Sequence, residues 1–248
     1  MRFDVVGIIP ARQNSLRVPN KSLLVCNNHP IIAYSIIEAI ESKLFKSVIV
    51  ASDSEKICEV AEYYGADEVV KRSEKDATST SQDIEWLTNL FDLGVINSDH
   101  FSILRPTSPL RSKKLMEECL NTFRESGADS LRTIAKVKEH PGKMWYLKEE
   151  SKIIPYLKQN KNEIATHAQQ YQSLSEVYIQ TSVMEIAKTS VIKETGTREG
   201  NHVIGYLTQG LQTHAIDTID DYLFLEYLIS KNINVLPKIT KEPYEVTK

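Results

Sequence analysis

An α/β fold, with a mostly parallel sheet and helices on both faces, is what this chain of 248 residues predicts. Three observations lead there. Short apolar runs that suit buried strands recur along the chain, and segments with apolar residues at helical spacing lie between them. Glycines such as Gly65 and Gly127 mark the ends of the helical stretches. The polar segments that directly follow several strands are basic, and that is where open α/β sheets build their ligand crevice.

Taken in order, Val5-Val6-Gly7-Ile8-Ile9 is the first strand, and it runs into Pro10-Ala11-Arg12-Gln13-Asn14-Ser15-Leu16-Arg17-Val18-Pro19-Asn20-Lys21-Ser22. Arg12, Arg17 and Lys21 fall within ten residues of this loop, which also holds two prolines. Guanidinium forks and an ammonium point charge can surround phosphate oxygens, and the prolines limit the entropy lost on binding. Read from charge alone, the loop is either such a cradle or a solvated basic surface. Pro30 to Ala39 has helical spacing, with proline where a first turn tolerates it. Ser47 to Ser52 is a second strand ending at Asp53, Ser54 to Tyr64 a helix, and Glu68-Val69-Val70 a third strand closed by Arg72.

The polar segment Arg72 to Gln82, with Thr78-Ser79-Thr80-Ser81, precedes an amphipathic helix over Asp83 to Leu93. Its hydroxyls are either helix caps or a second ligand loop. His100 to Leu104 is the next strand, and it enters Arg105-Pro106-Thr107-Ser108-Pro109-Leu110-Arg111, again basic and stiffened by two prolines. Three basic loops at strand ends are hard to ascribe to chance. Lys113 to Ser126 is a helix and Ser130 to Ala135 a strand. From Lys136 to Glu176 the alternation fades, so the chain is expected to be a single domain over 1–248 with an insertion at about 137–176. The aromatic residues there, Met144-Trp145-Tyr146 and Tyr171 among them, suit either a dimer contact or packing on the parent domain. Strands over Val177 to Ile186 and Val203 to Leu207 follow, then a helix from about His214 to Lys231.

Composition narrows the classes of function. A net charge of -3 gives no general attraction for nucleic acid, so basic function must be local. No apolar run approaches the roughly 20 residues of a membrane helix. The N-terminus enters a strand without a signal-peptide core, and a cytoplasmic location is expected. Cys26, Cys58 and Cys119 form no CxxC pair, so neither a zinc site nor a disulfide framework is indicated.

Ile9-Pro10-Ala11-Arg12 followed by Ser15-Leu16-Arg17-Val18-Pro19-Asn20-Lys21 resembles the N-terminal signature of the acylneuraminate cytidylyltransferases. Three further marks stand in that family's order: Arg72 after a Val-Val strand, Pro106-Thr107-Ser108-Pro109-Leu110-Arg111, and Ile216-Asp217-Thr218 with Asp221-Tyr222. The resemblance implies a Rossmann-like nucleotidyltransferase of the nucleotide-diphospho-sugar transferase type, with a small dimerisation insertion. It implies transfer of CMP from CTP to a nonulosonic, sialic acid-like sugar for surface glycans, with Mg²⁺ (or Mn²⁺) as cofactor and a homodimer as assembly. By the same resemblance Arg12, Arg17 and Lys21 are the catalytic cations, and Ala11, Asn20, Arg72, Ser79 and Ser81 join Arg12 and Lys21 around the nucleotide. Arg105, Thr107, Ser108, Arg111, Gln172 and Thr181 would face the sugar, and Asp217 would hold the metal.

The chain also departs from that pattern. Gln13-Asn14 replaces the usual Gly-Gly, Leu16 the usual Lys, and Arg105 the usual Gln. Thr181-Ser182-Val183-Met184-Glu185 stands where the family has Asn-Gly-Ala-Ile-Tyr, and Tyr171-Gln172-Ser173 where it has Arg-Gln-Asp. Ala215-Ile216-Asp217 replaces Asp-Ile-Asp, which leaves one of two expected carboxylates, with Asp220, Asp221 or Asp53 as candidate helpers. Two alternatives stay open. One is a sugar-1-phosphate nucleotidyltransferase using another triphosphate such as GTP; the other is a non-catalytic nucleotide-sugar binder.

Overall fold

The computed structural model describes residues 3–13, 15, 17–73, 81–158, 164–233 and 236–245. Its centre is the strand β1 (Val5–Ala11), which pairs in parallel with β4 (Val48–Ser52) on one side and β6 (His100–Ile103) on the other. β4 in turn pairs in parallel with β5 (Glu68–Lys71). Beyond β6 lie β10 (Tyr178–Lys188), antiparallel to it, then β7 (Ser130–Lys136) and β11 (Val203–Leu207). The seven-stranded order is therefore β11-β7-β10-β6-β1-β4-β5. Two residues each make the small hairpin strands β2 (Val25–Cys26) and β3 (His29–Pro30), which the sequence did not signal.

Alternation along the central strands explains why helices cover both faces. Val5, Ile9, Val48 and Val50 point into one apolar layer, Val6, Ile8 and Ile49 into the other. The first layer is completed by α1 (Ile31–Ser42), α2 (Glu55–Tyr63) and α4 (Lys113–Ser126), through residues such as Ile36, Val60 and Leu120. The second takes Trp86, Leu87 and Leu90 of α3 (Asp83–Asp92), and Val191 and Ile192 of α5 (Ser190–Thr195), a short helix absent from the expected elements. At Gly7 the packing leaves no room for a side chain, since a Cβ would lie 3.0 Å from the Phe45 ring and 3.3 Å from Leu104 Cδ1. Gly127 ends α4 at φ 67, as its position after the helical run predicts.

The last helix, α6 (Ile219–Ser230), starts five residues later than expected from His214, because Thr218 and Asp221 form a capping box. Leu225 of α6 meets Ile31, Tyr34, Leu110 and Ile216 in a third apolar cluster. The three cysteines are free, with Cys26 and Cys119 buried.

The chain divides into two units, one running to Thr133 and resuming at Thr181, the other covering Ile134–Gln180. The second is the segment in which alternation fades. It contains the antiparallel hairpin β8 (Trp145–Leu147) and β9 (Ile153–Pro155), with Tyr171 Oη donating to the carbonyl of Lys138 at 2.8 Å. Trp145, Tyr146, Leu147, Ile153 and Ile154 are all exposed on it.

A buried ion cluster joins the first unit behind the strand ends. Glu185 on β10 is only 4% exposed and is ringed by Arg105, Arg132 and Arg198. Asp83 pairs with Arg105 and, at 3.0 Å, with Arg198, while Glu199 takes Arg132 at 2.7 Å. Three cations thus meet three carboxylates. Burial pushes the Arg132 guanidinium down to about 10, with Arg198 adding to the effect. Burial acts on Asp83 in the opposite sense, yet Arg105 and Arg198 together hold its carboxyl below the usual range. Removing the central carboxylate would leave three partly desolvated cations with only Asp83 and Glu199 between them. Glu185→Gln is therefore expected to lower the unfolding free energy by about 3–5 kcal/mol in a urea titration, the scale of breaking one side of a buried pair. Unchanged stability would show that the arginines do without it.

A second carboxylate anchors the start of β7. Asp129 accepts from the backbone N–H groups of Asn201 and His202, both at 3.0 Å, and pairs with Lys188 at 3.1 Å. These bonds, first the one from His202 and then that from Lys188, hold its carboxyl down to about 2. A depressed carboxylate stabilises the fold above its unfolded pKa and ceases to as pH falls through its folded one. Acid titration of Asp129→Asn followed by circular dichroism should show a shallower loss between pH of about 4 and about 2 than the unaltered chain. Superimposable acid limbs would assign that loss elsewhere.

Candidate functional site

A cavity of about 670 Å³ opens where β1, β5 and β6 end. Because these strands are parallel, their final residues deliver Arg12, Arg72 and Arg105 to one edge, and all three line the cavity. The ladder continues just past the strands: Arg72 N–H donates to the Ser52 carbonyl at 2.7 Å and Leu104 N–H to that of Ile8 at 2.8 Å. Gln13 N–H donates to Asp53 Oδ1 at 2.8 Å, tying the first loop to the end of β4. The Asp53 carboxylate is thus a loop anchor.

One wall is cationic. Arg12, Arg17 and Lys21 all line it, with Lys21 12% exposed and Arg17 66% exposed in their side chains. Across from them, Asp217 Oδ1 accepts from Arg17 Nη2 at 3.1 Å and from Lys21 Nζ at 3.3 Å. Burial lowers the pKa of Lys21, and Asp217 works against that shift. The Asp217 loop is fixed from several sides. Ile216 N–H donates to the Thr107 carbonyl at 2.8 Å, and the N–H groups of Asp217 and Thr218 both donate to Asp221 Oδ2. Asp221 Oδ2 thus serves the capping box of the last helix.

Arg72, Ser81, Asp83 and Trp86 also line the cavity. The Arg72 guanidinium lies 5.3 Å from the Trp86 ring centroid, a cation–π distance, and Trp86 Nε1 donates to Asp83 Oδ1 at 3.0 Å. Arg105, Pro106, Thr107 and Ser182 complete the lining.

Of the residues singled out in the sequence, Ala11, Arg12, Arg17, Lys21, Arg72, Ser81, Arg105, Thr107 and Asp217 come together in this cavity. Asn20 stands beside it in the left-handed region, at φ 49, where its carbonyl accepts from Leu23 N–H. Thr181 does not line it and donates instead to Thr133 Oγ1 at 2.8 Å. Ser108 is buried, and its hydroxyl finds no partner among the described residues. Arg111, expected to face the sugar, is 1% exposed and bonds the carbonyls of Val183 and Arg105 and the hydroxyl of Ser35. It is a post that fixes the loop after β6, because every one of its bonds goes to surrounding protein. Gln172 belongs to the second unit, in the turn Tyr171–Ser173. Ser79 lies outside the described residues, as do Asn14 and Leu16.

Asp83 and Trp86 line the cavity without having been marked as site residues by the sequence, and Ser15, Ser22 and Ser182 do so from within segments it singled out. Trp86 and Asp83 read there as the core face and the first residue of an amphipathic helix. Only their arrangement around Arg72 and Arg105 gives them a second role.

Among the described residues no group of three or more His, Cys, Asp or Glu is placed to hold a metal ion, and no helix is long and apolar enough to cross a membrane. Comparison with known proteins places these walls in a wider context. The chain is 35% identical over 123 residues to an N-acylneuraminate cytidylyltransferase of Escherichia coli, a match covering 50% of this chain and 29% of that protein. It is 32% identical over 126 residues to a CMP-N,N'-diacetyllegionaminic acid synthase of Legionella pneumophila, covering 50% of this chain and 54% of the other. Both matches span less than two thirds of the relative's length. The fold is that of a solved CMP:2-keto-3-deoxy-manno-octonic acid synthetase complexed with CTP, at a TM-score of 0.66 and 12% identity over 92% of this chain and 99% of that one. This is the Rossmann-like α/β fold expected from the sequence. The model of the cytidylyltransferase family matches residues 6–224, the stretch that supplies every wall of the cavity from Pro10 to Asp217, and the chain belongs to that family.

Proposed function

We propose that the chain transfers CMP from CTP to the hydroxyl of a nonulosonic, sialic acid-like sugar acid, releasing pyrophosphate for the assembly of a surface glycan. The observation that carries this reading is the concentration of Arg12, Arg17, Lys21 and Arg72 around one cavity, with the Asp217 carboxylate set between Arg17 and Lys21. Phosphoryl transfer asks a protein mainly for positioning and for cations around developing negative charge. In the proposed reaction the sugar oxygen bonds to the α-phosphorus, and the bond from that phosphorus to the bridging oxygen breaks. The leaving pyrophosphate keeps the electron pair and the hydroxyl proton passes to water.

Lys21, largely desolvated, and Arg12 would hold the triphosphate, and the exposed Arg17 would close over it. Withdrawn from water, such charges act more strongly on a phosphate than they would in solution. Arg72 and Ser81 would frame the nucleoside, while Arg105, Thr107 and Ser182, which also line the cavity, would face the acceptor. Mg²⁺ or Mn²⁺ fits this donor set: with Ala215 offering no carboxylate, Asp217 would be its one protein ligand, and the remaining oxygens would come from phosphate and water. Bound there, a divalent cation would neutralise phosphate oxygens. A cytoplasmic setting, where nucleoside triphosphates are at hand, suits this reaction.

Pyrophosphate release measured with each nucleoside triphosphate against nonulosonic acids and sugar 1-phosphates tests the reading. Turnover is expected with CTP and a sugar acid; preference for GTP and a sugar 1-phosphate would move the assignment to that class, and no turnover with any pair would favour a nucleotide-sugar binder. Arg12→Ala and Lys21→Ala are each expected to lower kcat by about a hundredfold, the scale of losing one charge-stabilising group. Near-normal kinetics in either variant would remove that residue from the mechanism. The exposed apolar residues of the 134–180 unit support a homodimer. Light scattering at micromolar concentration should give twice the chain mass, and a monomer would count against the assignment.

A further inference from the structure

Lys21 lies on a stretch with little structure of its own. Its turn, Lys21–Leu23, is closed by Leu23 N–H donating to the Asn20 carbonyl at 2.8 Å and by Leu24 N–H donating to that of Lys21 at 3.3 Å. Leu24 then leads into the hairpin β2–β3, and its carbonyl accepts from Ile31 N–H at 2.9 Å. A single 3-10 turn has poor hydrogen-bond geometry and a hairpin of two-residue strands is too small to stand alone, so both need support from elsewhere. Tyrosines from three helices give it. Tyr34 Oη of α1 donates to the Cys26 carbonyl at 2.6 Å, and Tyr64 Oη, just past α2, bonds His29 Nδ1 at 2.9 Å. Tyr222 Oη of α6 donates to the Val25 carbonyl at 2.7 Å and shares its proton with Glu226 Oε1, at 2.8 Å one turn along the same helix. Tyr34 and Tyr64 are buried core residues. Tyr222 is partly buried, packs on the same apolar cluster as Leu24, and reaches the hairpin residue nearest the Lys21 turn.

An ammonium on a flexible four-carbon stem acts on phosphate as a point charge, so where it acts depends on where its backbone is held. We propose that Tyr222 is a positioning residue for Lys21: through the Val25 carbonyl its hydroxyl fixes, from α6, the hairpin on which the Lys21 turn is built, and so sets where the ammonium meets phosphate. The inference rests on the reading of Lys21 as a triphosphate cation given above. It singles out Lys21 among the cations of the cavity. Arg12 directly follows β1 and takes its place from the sheet, so the Tyr222 hydroxyl acts on the one cation and leaves the other alone.

Amide hydrogen exchange of the ligand-free chain reads the hold directly. Tyr222→Phe keeps the ring and removes the hydroxyl. In it the amides of Leu23, Leu24 and Ile31 are expected to exchange at least about threefold faster, while those of β1 and β4 keep their rates. Unchanged rates at the turn, or acceleration through the whole sheet, overturn the inference. Calorimetric titration of inorganic tripolyphosphate, which carries no base, tests the link to Lys21. Tyr222→Phe should weaken binding by about fivefold, the scale of one hydrogen bond, both in the unaltered chain and in Arg12→Ala, and should change nothing in Lys21→Ala. The same loss in all three backgrounds would make Tyr222 a general support and overturn its link to Lys21. No binding of tripolyphosphate by the unaltered chain would count against the triphosphate reading, and the exchange rates would still decide whether Tyr222 holds the turn. Should circular dichroism show that Tyr222→Phe is unfolded, Glu226→Gln decides: its amide donates to Tyr222 Oη and leaves the hydroxyl proton to Val25, so the turn amides should exchange more slowly than in the unaltered chain. Equal or faster exchange there overturns the inference.

Discussion

The parallel register of β6, β1, β4 and β5 is the constraint on which the site depends. Val5 sits opposite His100, Ala11 opposite Ser52, and Ser52 opposite Lys71, so the strands finish close to the same edge of the sheet. After β1, β5 and β6 the next residue or two is basic, Arg12, Arg72 and Arg105, whereas β4 is followed by Asp53. A register slip of one residue would exchange the two apolar faces of a strand and move its arginine off the edge together with them. The apolar layers therefore fix the position of the charges, and at Arg72 one of them does so directly through the Trp86 ring.

Gathering so much positive charge is unfavourable by itself, and the fold answers it differently in different places. Arg132 and Arg198 are taken up with Arg105 in a cluster whose cations and carboxylates balance. Arg111 is buried and spends its donors on carbonyl and hydroxyl oxygens of the loop after β6 and its neighbours. At the mouth, Arg17 and Lys21 share one exposed carboxylate. The arginines thus differ in what the protein sets around them: an ion cluster, carbonyl and hydroxyl oxygens, or a shared carboxylate.

Much of this was legible in the sequence, for physical reasons. The continuous apolar run Val5 to Ile9 reports a strand buried on both faces and the pattern in Lys113 to Ser126 a helix with one buried face, and both elements lie within two residues of where the pattern puts them. Basic loops after strands carried the cavity, since a parallel sheet leaves them no other edge. Contacts between distant residues were not legible. Glu185 lies 80 positions from Arg105, and nothing local marks it as a buried acid rather than a polar strand residue. Arg111 carries the same charge as Arg12, and only burial distinguishes a post from a ligand. The hairpin β2–β3 and helix α5 are too short for periodicity to register.

Two of the departures from the acylneuraminate pattern turn out to be one. Arg105 in place of Gln, and Thr181 to Glu185 in place of Asn-Gly-Ala-Ile-Tyr, lie far apart in the chain. In the sheet, β10 runs antiparallel to β6 with Glu185 opposite Ile103, two residues before Arg105. The extra cation and the extra acid are therefore neighbours, and Asp83 supplies a second partner from the start of α3. An arginine introduced alone at this wall would have added net charge beside the phosphate cations and drawn polyphosphate away from them. Introduced with Glu185 and Asp83 it adds shape and fixed hydrogen-bond donors while leaving the local charge balanced. This part of the cavity lining therefore differs from the family pattern in geometry more than in charge, and under the proposed function a changed acceptor would be distinguished there by fit and hydrogen bonding.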